Sequence, residues 1–262
     1  MRPLAIDLYC GLGGWSEGLI AEGYDVIGFD SERHEYGEHR YPGSLVIQDV
    51  LTLHGAQFKD AALIVASPPC QEYSYMAMPW KRAKALAADY RSGRRDVKQL
   101  TALFDACFRI QREACEAAGH HIPLIVENVR GAIPWVGRSR WNFGSFHLWG
   151  DVPALMPMTL AAYKVPSFRF DGSGGSFQTA SVRRTDPGKG ARFTSRDCGI
   201  EAGIKCGGDW FNASQPSISR MTSSKSPARK AASAMIAKIP LPLSRHIAAT
   251  FKPRFPLRAR AA

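Results

Sequence analysis

The expected fold follows first from one segment, Leu4-Ala5-Ile6-Asp7-Leu8-Tyr9-Cys10-Gly11-Leu12-Gly13-Gly14. Its first six residues are mostly apolar, as in a buried parallel strand, and a helix is expected from Trp15 to Glu22, closed by Gly23. A strand, a glycine turn and a helix open a Rossmann-like unit, in which glycines let a ligand approach the backbone closely. The spacing Gly-x-Gly-Gly differs from Gly-x-Gly-x-x-Gly, so a dinucleotide pyrophosphate is not the expected ligand.

Acidic residues end the next two predicted strands. Tyr24–Phe29 predicts a second strand that ends at Asp30, and Leu45–Gln48 predicts a third that ends at Asp49. An acid at the tip of the second strand is where such folds hold ribose hydroxyls, although Asp30 alone fits an exposed structural carboxylate equally well. With the glycine turn, the two acids suit a ligand that carries ribose, adenine and a positive centre, and S-adenosylmethionine carries all three.

The motif Ser67-Pro68-Pro69-Cys70-Gln71 follows a fourth predicted strand, Ala61–Ala66. Two prolines fix φ and remove two backbone donors, so neither a helix nor a sheet can continue through them. A stiff loop then presents the thiol of Cys70 at the carboxyl edge of the sheet, where open α/β folds bind ligands. A buried structural cysteine beside a Pro-Pro turn fits the motif equally well when it is considered alone.

Apolar residues at helical spacing predict an amphipathic helix over Gln99–Ala118, and a fifth strand, Pro123–Val126, then ends in Glu127-Asn128-Val129. Further on, Arg138 and Arg140 would face the same side of an extended chain. We expect residues 141–149 to form one aromatic-rich strand.

The composition divides the chain into three parts. Residues 1–150 are expected to form a catalytic and cofactor-binding Rossmann-like domain of the α/β class. Residues 151–226 are rich in Gly, Ser, Thr and basic side chains, which predicts a loop-rich small lobe. Residues 227–262 are expected to return to the first domain with a helical run over Arg229–Lys238 and a final helix over Leu243–Phe251.

The formal net charge of +11 favours polyanionic partners, nucleic acid first. In the segment Glu72–Lys98, Tyr73 and other aromatic residues precede a cluster of Lys and Arg, which suits a mobile segment that closes over a sugar-phosphate backbone. A solvated basic helix is the alternative.

The six cysteines form no CxxC pair, so we expect reduced thiols and no metal site. Apolar runs are too short for a membrane span or a signal peptide, so we expect a cytoplasmic protein.

Together the motifs resemble those of the DNA (cytosine-5)-methyltransferases, in particular small phage and bacterial members. The resemblance rests on Asp7–Gly14, Ser67–Gln71 and Glu127–Val129, with support from Arg138-x-Arg140 and from Met235–Leu243. It implies the transfer of a methyl group from S-adenosylmethionine to C5 of a cytosine that is flipped out of double-stranded DNA, by a protein that we expect to be a monomer.

The resemblance also implies residue roles. Cys70 would attack C6 of cytosine, and Glu127 would hold or protonate N3. Arg138 and Arg140 would fix the catalytic loop and the cytosine O2. The cofactor would be bound by Tyr9, Gly11 and Gly13, by Asp30 at the ribose and by Asp49 at the adenine amino group, while Ser67, Pro69, Gln71 and Asn128 would contact the substrate.

Three positions depart from the family pattern. Val136 stands where the family usually has Gln, Ala237-Lys238 replaces Gly-Asn, and Ser31 replaces the aromatic residue that often follows the ribose-binding acid. Two other functions are compatible with the chain: methylation of cytosine in RNA by the same chemistry, and DNA binding by a protein that retains the cofactor pocket without turnover.

Overall fold

The structure is a computed structural model that describes residues 2–73, 80–144, 146–156 and 237–253, together with residues 230 and 234. Most of the expected small lobe, residues 151–226, therefore lies outside the described residues. The same is true of Met235 and Ile236 in the last motif, and of Tyr75, Met76 and Met78 after Cys70.

A seven-stranded mixed sheet forms the centre of the molecule, with the order β5-β2-β1-β6-β7-β9-β8, and a two-stranded hairpin, β3-β4, lies apart from it. Strands β5, β2, β1, β6 and β7 are parallel, while β9 and β8 are antiparallel to their neighbours. The strands are β1 Leu4–Leu8, β2 Asp25–Asp30, β3 Glu35–Tyr36, β4 His39–Arg40, β5 Ser44–Ile47, β6 Ala61–Ala66, β7 Leu124–Asn128, β8 Trp141–Phe143 and β9 Phe146–Gly150.

Helices cover both faces of this sheet. They are α1 Gly14–Ala21, α2 Trp80–Arg91, α3 Val97–Ala118, the short α4 Ile133–Val136 and α5 Leu241–Phe251. On one face α3 packs through Phe104 and Ile110 against Ile64. On the other, α1 and α5 pack through Leu19 and Ile247 against strand residues such as Val65. This three-layer arrangement confirms the predicted Rossmann-like α/β fold.

Helix α3 shows why several sequence predictions hold. Asp96 caps its first turn by accepting a hydrogen bond from Lys98 N, and Gly119 ends it in the left-handed conformation at φ 71°. The predicted glycine turn before α1 and the predicted strand Ala61–Ala66 are likewise present within a residue of their expected bounds. Local patterns of capping and periodicity are sufficient to define these elements.

The aromatic segment 141–149 is the clearest error of the sequence analysis. It forms the antiparallel hairpin β8-β9 instead of one strand, with Phe143 paired with Phe146. Gly144 has a φ of 58°, which side chains rarely adopt, and the Asn142 side-chain amide donates to its carbonyl oxygen at 2.9 Å. The chain can therefore reverse at this glycine, although the apolar run continues through it.

Helix α5 lies against α1 at very short range. A Cβ at Gly14 would lie 2.4 Å from Ile239 N, and one at Gly18 would lie 2.3 Å from Ser244 Oγ. The charged side chain of Lys238 pairs with Glu17, and Arg245 donates to Glu22 at 2.8 Å. Residues 238–245 are thus fixed beside the glycine turn. No helix in the described ranges is long and apolar enough to cross a membrane.

Candidate active site

The carboxyl edge of the sheet contains a topological switch point between β1 and β6. The chain continues from β1 to β2 on one side and later enters β6 on the other side of β1. Open α/β sheets bind ligands in the crevice at such a point. The glycine turn follows β1 and the Pro-Pro-Cys loop follows β6, so the two main sequence motifs border the same crevice.

Two glycines of the turn have different roles. Gly11 has a φ of 50°, and a Cβ placed there would meet no described atom within 4 Å, so its face is open to a ligand. Gly13 has a φ of 75°, but a Cβ there would lie 2.3 Å from the Pro42 ring. Gly13 is therefore needed for packing against Pro42, whereas Gly11 has the open approach expected at a cofactor.

The side chain of Tyr9 contacts helix α3, which covers one face of the sheet. Its backbone is left-handed, at φ 57°, and its hydroxyl donates to Leu103 O at 2.9 Å. Burial, followed by the nearby Cys107, raises the pKa of this phenol. The structure thus gives Tyr9 a structural contact with α3, and its expected contact with a cofactor stays a prediction.

Asp30 ends β2 as a buried carboxylate with several donors around it. Its Oδ2 accepts from Gly11 N at 2.9 Å, and its Oδ1 accepts from Glu32 N at 3.3 Å. His34 Nε2 lies 3.6 Å from Oδ1. Burial would raise the pKa of Asp30, but the hydrogen bonds from His34, Gly11 and Glu32 outweigh it and hold the pKa below its usual value. Asp30 is an ionised acceptor beside the open glycine.

Asp49 lies one strand further along the same edge. Gln48 N donates to Asp30 O at 2.8 Å, which places the ends of β5 and β2 side by side. Asp49 is exposed and caps the 3-10 turn Val50–Thr52, because its Oδ1 accepts from Leu51 N at 2.9 Å. The structure therefore brings the three predicted cofactor elements, Gly11, Asp30 and Asp49, to one edge.

A buried polar chain beneath the turn was missed by the sequence analysis. Asp7 Oδ2 accepts from Ser16 Oγ at 2.5 Å, and Ser16 Oγ lies 2.7 Å from the Tyr41 hydroxyl. Asp7 Oδ1 has no hydrogen-bond partner among the described residues. Burial raises the pKa of Asp7 to about 8. The available signal was a carboxylate inside an otherwise apolar strand, a position that ordinarily requires a partner.

The Pro-Pro-Cys loop is held by contacts from three elements. Ser67 N donates to Leu8 O at 3.1 Å, and the Trp15 indole N–H donates to Ser67 Oγ at 3.0 Å. Asn128 Nδ2 donates to Pro68 O at 3.0 Å. Cys70 is half-buried. Within the described chain, the thiols of Cys10, Cys70, Cys107 and Cys115 are in no disulfide. Pro69 and Gln71, two expected substrate contacts, are exposed beside the thiol.

Glu127 and Asn128 are buried at the end of β7, next to β6. The register pairs Val126 with Ala66, so Glu127 and Ser67 lie one step further along adjacent strands. A Cβ at Gly131 would lie 1.9 Å from Tyr73 O, so the segments after the two strands are in close contact. The structure thereby brings the predicted acid and the predicted nucleophile loop together.

Arg138 and Arg140 are exposed and follow the short helix α4. They lie in an irregular segment and not in a strand, so the alternation of side chains along a strand does not place them on one side. Arg140 N donates to Leu148 O at 2.8 Å, and the Trp149 indole donates to Gly137 O at 3.0 Å. The backbone between the two arginines is thus anchored to β9, while the guanidinium groups remain accessible.

The basic segment after Cys70 also differs from expectation. Tyr73 is buried and donates to Leu100 O at 2.7 Å, so it belongs to the core instead of a mobile surface. The following basic residues form helix α2 and its end. Arg91 stacks over Trp135, and Arg95 stacks over Tyr90. Residues 80–91 are thus helical, and contact of this segment with a sugar-phosphate backbone stays a prediction.

Comparison with known proteins places the chain by its first half. Residues 4–131, just under half of the chain, match the family model of the C-5 cytosine-specific DNA methylases. For that segment, the resemblance predicted from the motifs is confirmed. A search of curated proteins finds no match.

Solved structures similar to the chain include three methyltransferases. A protein described as a DNA modification methyltransferase of an E. coli prophage is 23% identical, with a TM-score of 0.34 over 50% of this chain and 33% of its own. Dnmt2 of S. pombe is 16% identical, with a TM-score of 0.32 over 52% and 37%. EhMeth of Entamoeba histolytica is 16% identical, with a TM-score of 0.31 over 52% and 41%. The chain thus covers 33–41% of the length of these three proteins.

The residues present fit the cofactor that the family uses. Gly11 leaves open space beside its backbone, and Asp30 supplies an ionised acceptor for ribose hydroxyls within reach of that space. No cluster of His, Cys, Asp or Glu in the described chain could hold a metal ion. The donor set suits a nucleoside.

Proposed function

We propose that this protein transfers a methyl group from S-adenosylmethionine to C5 of a cytosine in double-stranded DNA. One observation carries the proposal: within the segment that matches the cytosine-specific family model, the Asn128 side chain joins the Cys70 loop to β7, the strand that carries Glu127. In this proposal Cys70 is the nucleophile and Glu127 is the acid, and their position at adjacent strand ends suits addition to a pyrimidine ring.

The cofactor would lie against Gly11, with its ribose at Asp30 and its adenine near Asp49. When bound, it supplies an electrophilic methyl group. The chain's own contribution is to orient that group, through the open backbone at Gly11 and the carboxylate of Asp30, which the Gly11 amide already positions.

Cytosine C5 is a poor nucleophile because its electrons belong to an aromatic ring. Cys70 would add as a thiolate to C6, forming a carbon–sulfur bond while N3 receives a proton from Glu127. The ring then carries an enamine across C4 and C5, and its C5 can accept the methyl group. A base then removes the C5 proton, the electron pair restores the C5–C6 double bond and expels the Cys70 thiolate, and N3 returns its proton to Glu127.

Several neighbouring groups would support these steps. Asn128 and Trp15 hold the loop that carries Cys70, which limits the motion of the thiol. The exposed side chains of Arg138 and Arg140 would contact the cytosine O2 and the loop. Ser67, Pro69 and Gln71 would border the flipped base, together with Asn128.

The target atom lies inside a stacked duplex, so the base must be flipped out at a cost of a few kcal/mol. Phosphate contacts from the basic residues of α2 and of residues 151–226 would offset that cost. In this proposal, residues 151–226 recognise the DNA site and residues 227–262 complete the catalytic domain. The packing of α5 on α1 supports the second assignment. We place the protein in the cytoplasm as a monomer.

A mechanism-based trap tests the chemistry. Duplex DNA with 5-fluorocytosine has no removable C5 proton, so methyl transfer should leave a denaturant-resistant protein–DNA adduct. We expect Cys70→Ala to abolish the adduct and Cys115→Ala, on α3, to retain it. Glu127→Gln should slow adduct formation by about 10²–10⁴-fold and leave cofactor binding unchanged.

The substrate choice and turnover are tested in the same assay. An adduct with RNA alone would transfer the proposal to RNA cytosine. Binding of cofactor and DNA without an adduct or methyl transfer, across a diverse DNA pool, would identify a binding protein without turnover. The replacement Ala237-Lys238 does not by itself favour the latter, because Lys238 is paired with Glu17 on α1.

A further inference from the structure

His34 lies at the acid that would hold the ribose, and the family pattern gives it no role. Its Nε2 is 3.6 Å from Asp30 Oδ1, and both side chains are mostly buried, at 19% and 13% exposure. Asp30 also accepts from Gly11 N and Glu32 N. Since a carboxylate has about four acceptor sites, His34 and the two amides leave few for ribose hydroxyls.

The surroundings of His34 define its proton chemistry. Its other ring nitrogen, Nδ1, lies 3.3 Å from the Tyr36 hydroxyl on β3. Besides Asp30 on β2, the charged groups that act on it are Glu32 on the preceding loop and Lys230, which pairs with Glu32 at 3.5 Å. The hydrogen bond to Asp30 raises the pKa of His34 above its usual value.

Both protonation states can keep these contacts. In the neutral ring, Nε2–H faces Asp30 Oδ1 at 3.6 Å while Nδ1 accepts from Tyr36. In the charged ring, both nitrogens donate, and the Tyr36 oxygen becomes the acceptor. Protonation therefore changes the strength of the Asp30 contact without requiring a different side-chain position.

We propose that His34 is a positioning residue for Asp30, and that binding of the nucleoside cofactor at Asp30 is coupled to release of the His34 proton. This inference rests on the proposed function, because it concerns the same cofactor site. A ribose that donates to Asp30 competes with His34 for the carboxylate. Displacing an imidazolium costs more than displacing a neutral imidazole, since its hydrogen bond to a carboxylate is charge-assisted. The cofactor thus binds more tightly when His34 is neutral.

The direct test follows the imidazole signals of His34 by NMR titration, with and without saturating S-adenosylhomocysteine. We expect the pKa of His34 to fall by about half a unit to one unit on saturation, which corresponds to an affinity ratio of about three- to tenfold. Calorimetry should accordingly show three- to tenfold tighter binding at about pH 8.5 than at about pH 5.5.

Variants separate this role from general packing. His34→Gln should bind with an affinity that no longer depends on pH in this range, whereas His39→Gln, on the neighbouring strand β4, should keep the dependence. An unchanged His34 pKa on saturation, or a pH profile that His34→Gln leaves intact, would overturn the proposal alone. If the wild-type protein binds no S-adenosylhomocysteine at any pH, the proposed function fails, and this proposal fails with it.

Discussion

At the scale of single residues, Asp7 has the most unusual environment in the described chain. It lies under the glycine turn, is completely buried and bonds Ser16, which in turn contacts Tyr41. A Cβ at Gly28, the partner of Asp7 on β2, would lie 2.4 Å from the Tyr41 ring and 2.8 Å from Cys10 Sγ, so Tyr41 and Cys10 pack closely against the strand beside Asp7. This polar chain connects β1, α1 and the segment before β5, all of which shape the cofactor edge.

Asp7 predicts a pH dependence of stability. Its pKa is raised from 3.8 to about 8 by burial, so the folded protein binds a proton that the unfolded chain has lost. Stability should therefore fall as the pH rises from about 4 to about 8. In Asp7→Asn this loss should disappear, with an unfolding free energy about 1–3 kcal/mol above that of the wild type at about pH 8. Chemical denaturation over this pH range measures the effect.

Asp25→Asn is the matched control, because Asp25 is exposed and pairs only with Arg2 among the described residues. It should leave the slope of stability against pH unchanged. A wild-type slope that survives in Asp7→Asn would show that another group causes it.

The site residues differ in how far sequence alone could predict them. Gly11, Asp30 and Cys70 follow strands whose apolar pattern is evident, so their meeting at one edge follows from parallel topology. The contacts that orient them do not follow, because they join distant segments: Trp15 with Ser67, and Asn128 with Pro68. No sequence pattern points to His34, because its position depends on how the loop after β2 turns back toward Asp30.

At the scale of elements, prediction succeeded where one local pattern dominates. Helix α3 has a clear apolar stripe, a capping Asp and a terminal Gly, so its bounds were expected within two residues. The hairpin β8-β9 was not predicted, because the apolar run continues through the turn at Gly144. The small hairpin β3-β4 is too short to leave any alternating pattern.

The contact of α1 with α5 predicts a strong effect of a small substitution. A Cβ at Gly18 would lie 2.5 Å from Arg245 N, a backbone atom that cannot move by itself. Gly18→Ala should therefore lower the unfolding free energy by about 1–3 kcal/mol through overpacking, although alanine favours helices. Urea denaturation of the wild type and the variant gives this difference.

Ile20→Ala provides the comparison on the same helix, since Ile20 is exposed. Its effect should be within about 0.5 kcal/mol. Equal stability of Gly18→Ala and the wild type would mean that α5 does not lie against α1 at this distance in solution.

Over the whole molecule, exposed basic side chains lie near the carboxyl edge of the sheet, beside the loop that carries Cys70. The hydroxyl of Tyr73 donates to Leu100 O, so the start of α3 lies beside the loop of Cys70. Tyr90 donates to Glu72, which brings the end of α2 to the same place. Arg95, over the Tyr90 ring, and Lys98 are exposed there. Arg2 precedes β1 and lies at the opposite, amino edge of the sheet.

This placement predicts that DNA contacts the carboxyl edge of the sheet and not the amino edge. If Arg95 and Lys98 each contact a phosphate, the variant Arg95→Ala/Lys98→Ala should reduce the slope of log K against log salt by about two. Its affinity for different duplexes should weaken uniformly, because phosphate contacts carry no sequence information.

Arg2→Ala is the control, because it removes one charge of the same sign from the other edge and should leave the slope unchanged. Equal effects of the two substitutions, after correction for the number of charges, would mean that the net charge of +11 attracts DNA without orienting it. A reduced slope in the double variant alone would place the duplex over the carboxyl edge, where Cys70 is half-buried beside Pro69.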